Sequence, residues 1–107
     1  MSDNKPAVSN AFQAFAAEAP AQAGALMEMA KKLDAASALD KKTGALAYLA
    51  VLAALRMESG VPFHTMLAKK AGATREEVIG AILTGLPAAG ISVTQSLPAA
   101  LAAYDAS

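Results

Sequence analysis

The uncharged run Thr43-Gly44-Ala45-Leu46-Ala47-Tyr48-Leu49-Ala50-Val51-Leu52-Ala53-Ala54-Leu55 decides the fold class. Leu46, Tyr48, Leu49, Val51, Leu52 and Leu55, with alanines between them, make a helix apolar nearly all round. Such a helix sits at the centre of a bundle or between subunits. The run is too short to span a bilayer. Asp40 suits an N-cap, and the helix is predicted from Lys41 to about Glu58. Tyr48 carries the only side-chain hydroxyl beyond its first turn. It reads either as a core tyrosine with a bonded hydroxyl or as a pocket-lining donor.

The rest of the composition agrees with an all-α chain. Hydrophobic residues make up 55% of 107 residues, many of them alanine, the best helix former. Residues 9–107 form one domain of about six helices, and residues 1–8 a frayed tail. So apolar a small chain hardly covers itself, and the surplus is read as subunit interface; a loosely packed monomer is the alternative. Nine basic and nine acidic residues balance, and no basic block exceeds a Lys-Lys pair, so nucleic-acid binding has no support. No membrane partner is implied. Residues 1–5 are polar and lack a signal-peptide core, which points to a cytoplasmic protein. The chain has no cysteine, so it carries no disulfide, thiolate metal site or thiol redox cycle. One histidine and no dense carboxylate cluster argue against a transition-metal site, and no cofactor is implied.

Helices are also predicted on either side of the central run. A short one starts at Ser9 and puts Phe12, Phe15 and Ala16 on one face. Pro20 opens a second, from about Ala21 to Ala36, with a stripe of Leu26, Met29, Ala30 and Leu33. Beyond the run, Gly60 ends the central helix and Pro62 starts a short one to Ala71, with Phe63, Met66 and Leu67 inward. Gly72 terminates it. Thr74 and Glu77 spell a capping box for a helix carrying Val78, Ile79, Ile82, Leu83 and Leu86. Pro87 and Gly90 end or kink that helix. A last helical stretch from about Ser92 to Tyr104 buries Ile91, Val93, Leu97 and Leu101, with Pro98 at a bend or a new start.

The segment Arg56-Met57-Glu58-Ser59-Gly60-Val61-Pro62-Phe63-His64 holds the only histidine and a turn. His64 falls in a helix first turn, where unpaired amides and the helix dipole favour neutral imidazole. Such a ring can accept a proton, donate a hydrogen bond or cap a buried polar group. Glu58 precedes the turn and could fold back to form an acid–base pair with it. The structural alternative is a satisfied histidine and a solvated helix-end glutamate. A pocket of Met57, Val61, Phe63, Met66 and Tyr48 would prefer a small apolar or aromatic molecule, with one polar contact. Gly60 and Arg56 complete the expected binding set. Ordinary core filling is the competing role for the methionines.

Leu39-Asp40-Lys41-Lys42-Thr43, the Leu46–Leu55 run, His64, Ala68, Gly72-Ala73-Thr74-Arg75-Glu76-Glu77-Val78 and the Gly90 region together resemble the carboxymuconolactone decarboxylase family, which includes the alkylhydroperoxidase D-like proteins. The resemblance covers roughly Leu33 to Tyr104. It implies an alkylhydroperoxidase D-like helical bundle and self-association as trimer or hexamer. The redox branch carries Cys-x-x-Cys-x-x-x-His with a relay glutamate one helix earlier. On this chain those cysteine positions are Met57 and Gly60, the histidine is His64, and the glutamate position is Ala45. A thioether forms no sulfenic acid and closes no disulfide, so the peroxidase cycle does not carry over. The decarboxylase branch does without the cysteine pair. Its anionic substrate calls for basic groups and a proton donor, for which Arg56 and His64 are nearest. Three readings follow: a small-molecule binder with cofactor-free acid–base chemistry of decarboxylase or lactone type, a non-catalytic oligomeric scaffold or partner-binding protein, and an antioxidant role through a partner's thiol.

Overall fold

The computed structural model describes residues 8–107, so the expected tail falls, apart from Val8, outside the described residues. These are all-helical: six α-helices of nine residues or more, one four-residue helix and two 3-10 segments. The chain divides into two compact units, residues 1–40 and 41–107.

The first unit is a helical hairpin. Helix α1 (Asn10–Glu18) starts where expected, with the Ser9 hydroxyl accepting from the Phe12 amide at 3.1 Å. Phe12 and Phe15 meet edge to face with centroids 6.0 Å apart. Helix α2 (Pro20–Ala36) uses Pro20 in its first turn, where a missing amide costs nothing. Its expected inward stripe is a correction. Leu26, Met29 and Leu33 are all exposed, Leu33 at 63%. Within the unit, α2 has only the nine-residue α1 beside it, which is too short to cover seventeen residues.

The second unit is built on α3 (Lys41–Ala54), α4 (Val61–Lys70), α5 (Arg75–Leu83), α6 (Leu86–Ala89) and α7 (Leu97–Ala106), with 3-10 segments at Glu58–Gly60 and Ile91–Ser96. Helix α3 is the centre, packing against α4, α5 and the second 3-10 segment. Its inner stripe of Leu49, Leu52 and Ala53 joins Val61, Ala68, Val78, Ile82, Val93 and Ala100 in one core. The opposite face is equally uncharged but exposed, through Tyr48, Val51 and Leu55. Phe63, Met66 and Leu67 of α4, expected inward, also lie on the surface; Val61, Thr65 and Ala68 take the inner face instead.

Helix α3 stops four residues earlier than predicted. The Arg56 amide donates to Ala53 O at 3.1 Å and the Met57 amide to Leu52 O at 2.9 Å. This is a Schellman cap, with Arg56 at φ 59 in the left-handed position usually held by glycine. Helix α4 ends in the same motif. Gly72 at φ 103 donates to Lys69 O, and Ala73 donates to Ala68 O, both at 2.9 Å.

The capping box forms as read: the Thr74 hydroxyl accepts from the Glu77 amide at 3.1 Å, and Glu77 Oε1 accepts from the Thr74 amide at 2.9 Å. The last predicted helix is shorter than expected, because Ile91–Ser96 winds as 3-10 before Pro98 opens α7. Side chains three apart eclipse in a 3-10 helix, so Val93 and Ser96 point inward together. Ile91, expected to be buried, is 74% exposed instead. Side chains tie the C-terminal helix down. The Tyr104 hydroxyl donates to Ala73 O at 2.8 Å, Lys69 Nζ donates to Tyr104 O at 2.8 Å, and Arg75 Nε pairs with Asp105 Oδ1 at 2.9 Å. Lys42 Nζ pairs with Glu77 Oε2 at 3.1 Å, joining α3 to α5.

Candidate functional site

The α3–α4 turn sets the site. From the Arg56 cap the chain passes through Met57 into the Glu58–Gly60 3-10 turn, and α4 begins at Val61 with Pro62 in its first turn. Two contacts give the register of the helix pair. A Cβ built on Gly60 would sit 3.5 Å from both methyl carbons of Leu52. Four residues before Leu52 and four after Gly60, the Tyr48 and His64 rings meet with centroids 4.5 Å apart, tilted at 45°. The two helices therefore run antiparallel, and His64 lies one turn in from the hinge.

The His64 ring is half-buried between Tyr48 and Phe63, whose ring meets it edge-on at 5.3 Å. Burial lowers its pKa below the ordinary histidine value. Neutral imidazole is thus the resident form at pH 7, in agreement with its place in the first turn of α4. A neutral ring has one donor and one acceptor nitrogen. Among the described residues, neither is engaged in a hydrogen bond or an ion pair.

The expected binding residues gather around this ring only in part. Tyr48, Phe63 and His64 are in contact. Met57 and Met66 are surface residues rather than core filler, and Arg56 is an exposed cap residue. Val61, read from sequence as pocket lining, is fully buried in the core. Gly60 admits the Leu52 side chain and exposes little of itself. Tyr48, Met57, Phe63 and Met66 are all surface-exposed side chains.

Glu58 does not pair with His64. One of its carboxylate oxygens, Oε2, is enclosed without any hydrogen-bond partner. Thr65 Oγ1 and Ser96 Oγ are enclosed in the same way, and both residues are completely buried. Neither hydroxyl stands out in the sequence, where an isolated Thr or Ser inside an apolar helix looks like any other. Among the described residues no three His, Asp or Glu side chains come together as a metal site. A separate shallow groove of about 380 Å³ runs along α2, lined by Ala25, Glu28, Met29, Lys32 and Leu33, and contains none of the expected site residues.

Comparison with known proteins supplies a family but no individual relative. Searches of curated proteins and of solved structures found no match to the chain. The model of the Carboxymuconolactone decarboxylase family matches residues 20–105, which takes in α2, the apolar α3, the hinge with His64 and the capped α5. With that match spanning most of an all-helical chain, this cysteine-free protein belongs to the carboxymuconolactone decarboxylase family.

Proposed function

We propose that the His64 face binds a small apolar or aromatic molecule, with the imidazole as its polar contact and as the acid–base group of a cofactor-free reaction of decarboxylase or lactone type. One observation carries the reading: a half-buried imidazole, tilted against the Tyr48 ring, with its pKa lowered and both nitrogens uncommitted. An imidazole held neutral by apolar neighbours can take a proton from a bound substrate and return it within one cycle. Tyr48 and Phe63 offer aromatic faces and Met57 and Met66 adaptable apolar contact, which suits a planar ligand. Arg56, the nearest cation to this segment in the sequence, would be the partner for a carboxylate. Glu58 lies two residues beyond it, with one carboxylate oxygen enclosed and without a hydrogen-bond partner.

The absence of a thiol removes the peroxidase chemistry of the family's redox branch from this chain's own repertoire. A scaffold role is the second reading, and the separation of Glu58 from His64 favours it, since no acid–base pair stands ready. Calorimetric titration with phenol and with benzoate tests the proposal. Saturable binding that disappears in His64→Ala, with the helical circular dichroism unchanged, supports it. Equal binding by both proteins, or none by either, refutes it.

A further inference from the structure

An aromatic ligand beside His64 could carry a carboxylate or an uncharged hydroxyl, and three features of the surroundings separate the two. The first is the start of α4. A helix N-terminus ordinarily offers free amides to an anion. Here the Glu58–Gly60 3-10 turn runs straight into the helix and uses them. The Gly60 amide donates to Met57 O at 3.0 Å, the Val61 amide donates to Glu58 O, and Pro62 has no amide to give.

The second feature is the placing of the cations. No ionic side chain occurs from Thr43 to Leu55, and from Ser59 to Ala68 the one titratable group is His64. Along α3 the cations before Tyr48 are Lys42 and Lys41, about 9 and 10 Å away at 1.5 Å of rise per residue. Lys42 is held by Glu77 at 3.1 Å. Along α4 the nearest is Lys69, about 8 Å from His64 by the same measure. It donates to Tyr104 O and Ser107 O, both at 2.8 Å. Arg56 lies beyond the end of α3, an end already about 9 Å from Tyr48. Such separations match the screening length of about 8 Å at physiological salt, so these charges attract a carboxylate on the rings only weakly. The third feature is Glu58, whose carboxylate lies in the same turn with Oε2 enclosed and unpartnered. It offsets Arg56, and the segment from Arg56 to His64 carries no net charge.

We infer that the His64 face selects uncharged, hydroxyl-bearing aromatic molecules and discriminates against carboxylates of the same size. A hydroxyl can donate to the acceptor nitrogen of the neutral imidazole. A carboxylate in that place gives up water for one N–H donor and no counter-charge, and a charge taken from water without a partner is costly. This selectivity rests on the small-molecule reading above and narrows it. A lactone reacts at an uncharged group, whereas loss of a carboxyl group starts from an anion that these surroundings do not hold.

Calorimetric titration of the full chain at about pH 7.5 with phenol, anisole and benzoate tests the selectivity, since only benzoate is ionised there. Phenol should bind at least about tenfold more tightly than benzoate, and several-fold more tightly than anisole, which has no hydroxyl proton. Glu58→Gln removes the enclosed charge and should narrow the phenol-to-benzoate ratio several-fold, with circular dichroism reporting that the helices persist. If that variant does not fold, the ratio in the parent chain decides. Benzoate binding as tightly as phenol overturns the selectivity while leaving a small-molecule site in place. Anisole matching phenol, or a ratio indifferent to a folded Glu58→Gln, overturns it in the same way. Binding of none of the three overturns the selectivity and the small-molecule reading together.

Discussion

Arg56→Gly should stabilise this protein, although it deletes a long side chain beside the candidate site. Arg56 occupies the left-handed position of the cap on α3, at φ 59, where the Cβ of an L-residue crowds the following carbonyl. That conformation costs a non-glycine residue about 1–2 kcal/mol. Glycine removes the crowding but loses about 0.5–1 kcal/mol more conformational freedom on folding. The net gain is about 0.5–1 kcal/mol. Urea denaturation followed by circular dichroism at fixed protein concentration reads it as a higher midpoint with an unchanged slope. Gly72→Ala is the reverse experiment, at φ 103 in the equivalent position of α4. A Cβ there meets no atom within 4 Å, so a loss of similar size would come from the backbone alone. If Arg56→Gly instead lowers the midpoint, contacts of the Arg56 side chain outweigh its backbone strain, and the assignment of the cap as strained is wrong.

Two further outcomes follow from the other helix ends. Thr74→Ala removes the hydroxyl that accepts from the Glu77 amide, and should cost about 1 kcal/mol in the same denaturation assay. Stability should also fall in acid. The Thr74 amide and Lys42 hold the Glu77 carboxyl below its usual range, and Arg75 does the same for Asp105. Carboxyls with depressed folded pKa values contribute stability above their unfolded values, near pH 4, and lose it as pH falls through the folded ones. All four side chains are solvent-exposed or nearly so, so the loss should be small and should shrink in added salt. A melting temperature independent of pH in this range, or a loss that grows with salt, contradicts the assignment.

Legibility from sequence followed the local chemistry of each helix end. Thr74 with Glu77 names its cap outright, and Gly72 marks the end of α4 because glycine is the residue that enters left-handed backbone freely. The end of α3 uses the identical hydrogen-bond pattern, but its left-handed residue is arginine, which carries no such signal. Sequence reading therefore carries the helix to about Glu58, just before the glycine and proline at Gly60 and Pro62. Periodicity found the apolar helices but not the direction of their faces. On α3 both faces are apolar, so sequence alone does not tell Leu49 and Leu52, in the core, from Val51 and Leu55, on the surface. Only packing against α4 and α5 separates them. The ring pair of His64 and Tyr48 joins residues sixteen apart across a hinge. Sequence marks both as candidate site residues, but their contact depends on the antiparallel register, which no local motif records. Chain proximity suggests a Glu58–His64 pair, whereas Glu58 Oε2 is enclosed without a hydrogen-bond partner.

The account depends on His64 as an uncommitted neutral imidazole open to a ligand, and its own proton resonances report this most directly. As the sole histidine, it gives a single Hε1 signal. Followed by NMR, that signal should titrate with a midpoint below about 6.5 in the free protein. At neutral pH it should shift saturably as phenol is added. A midpoint at or above the ordinary histidine value, or a signal indifferent to phenol up to its solubility limit, contradicts the account.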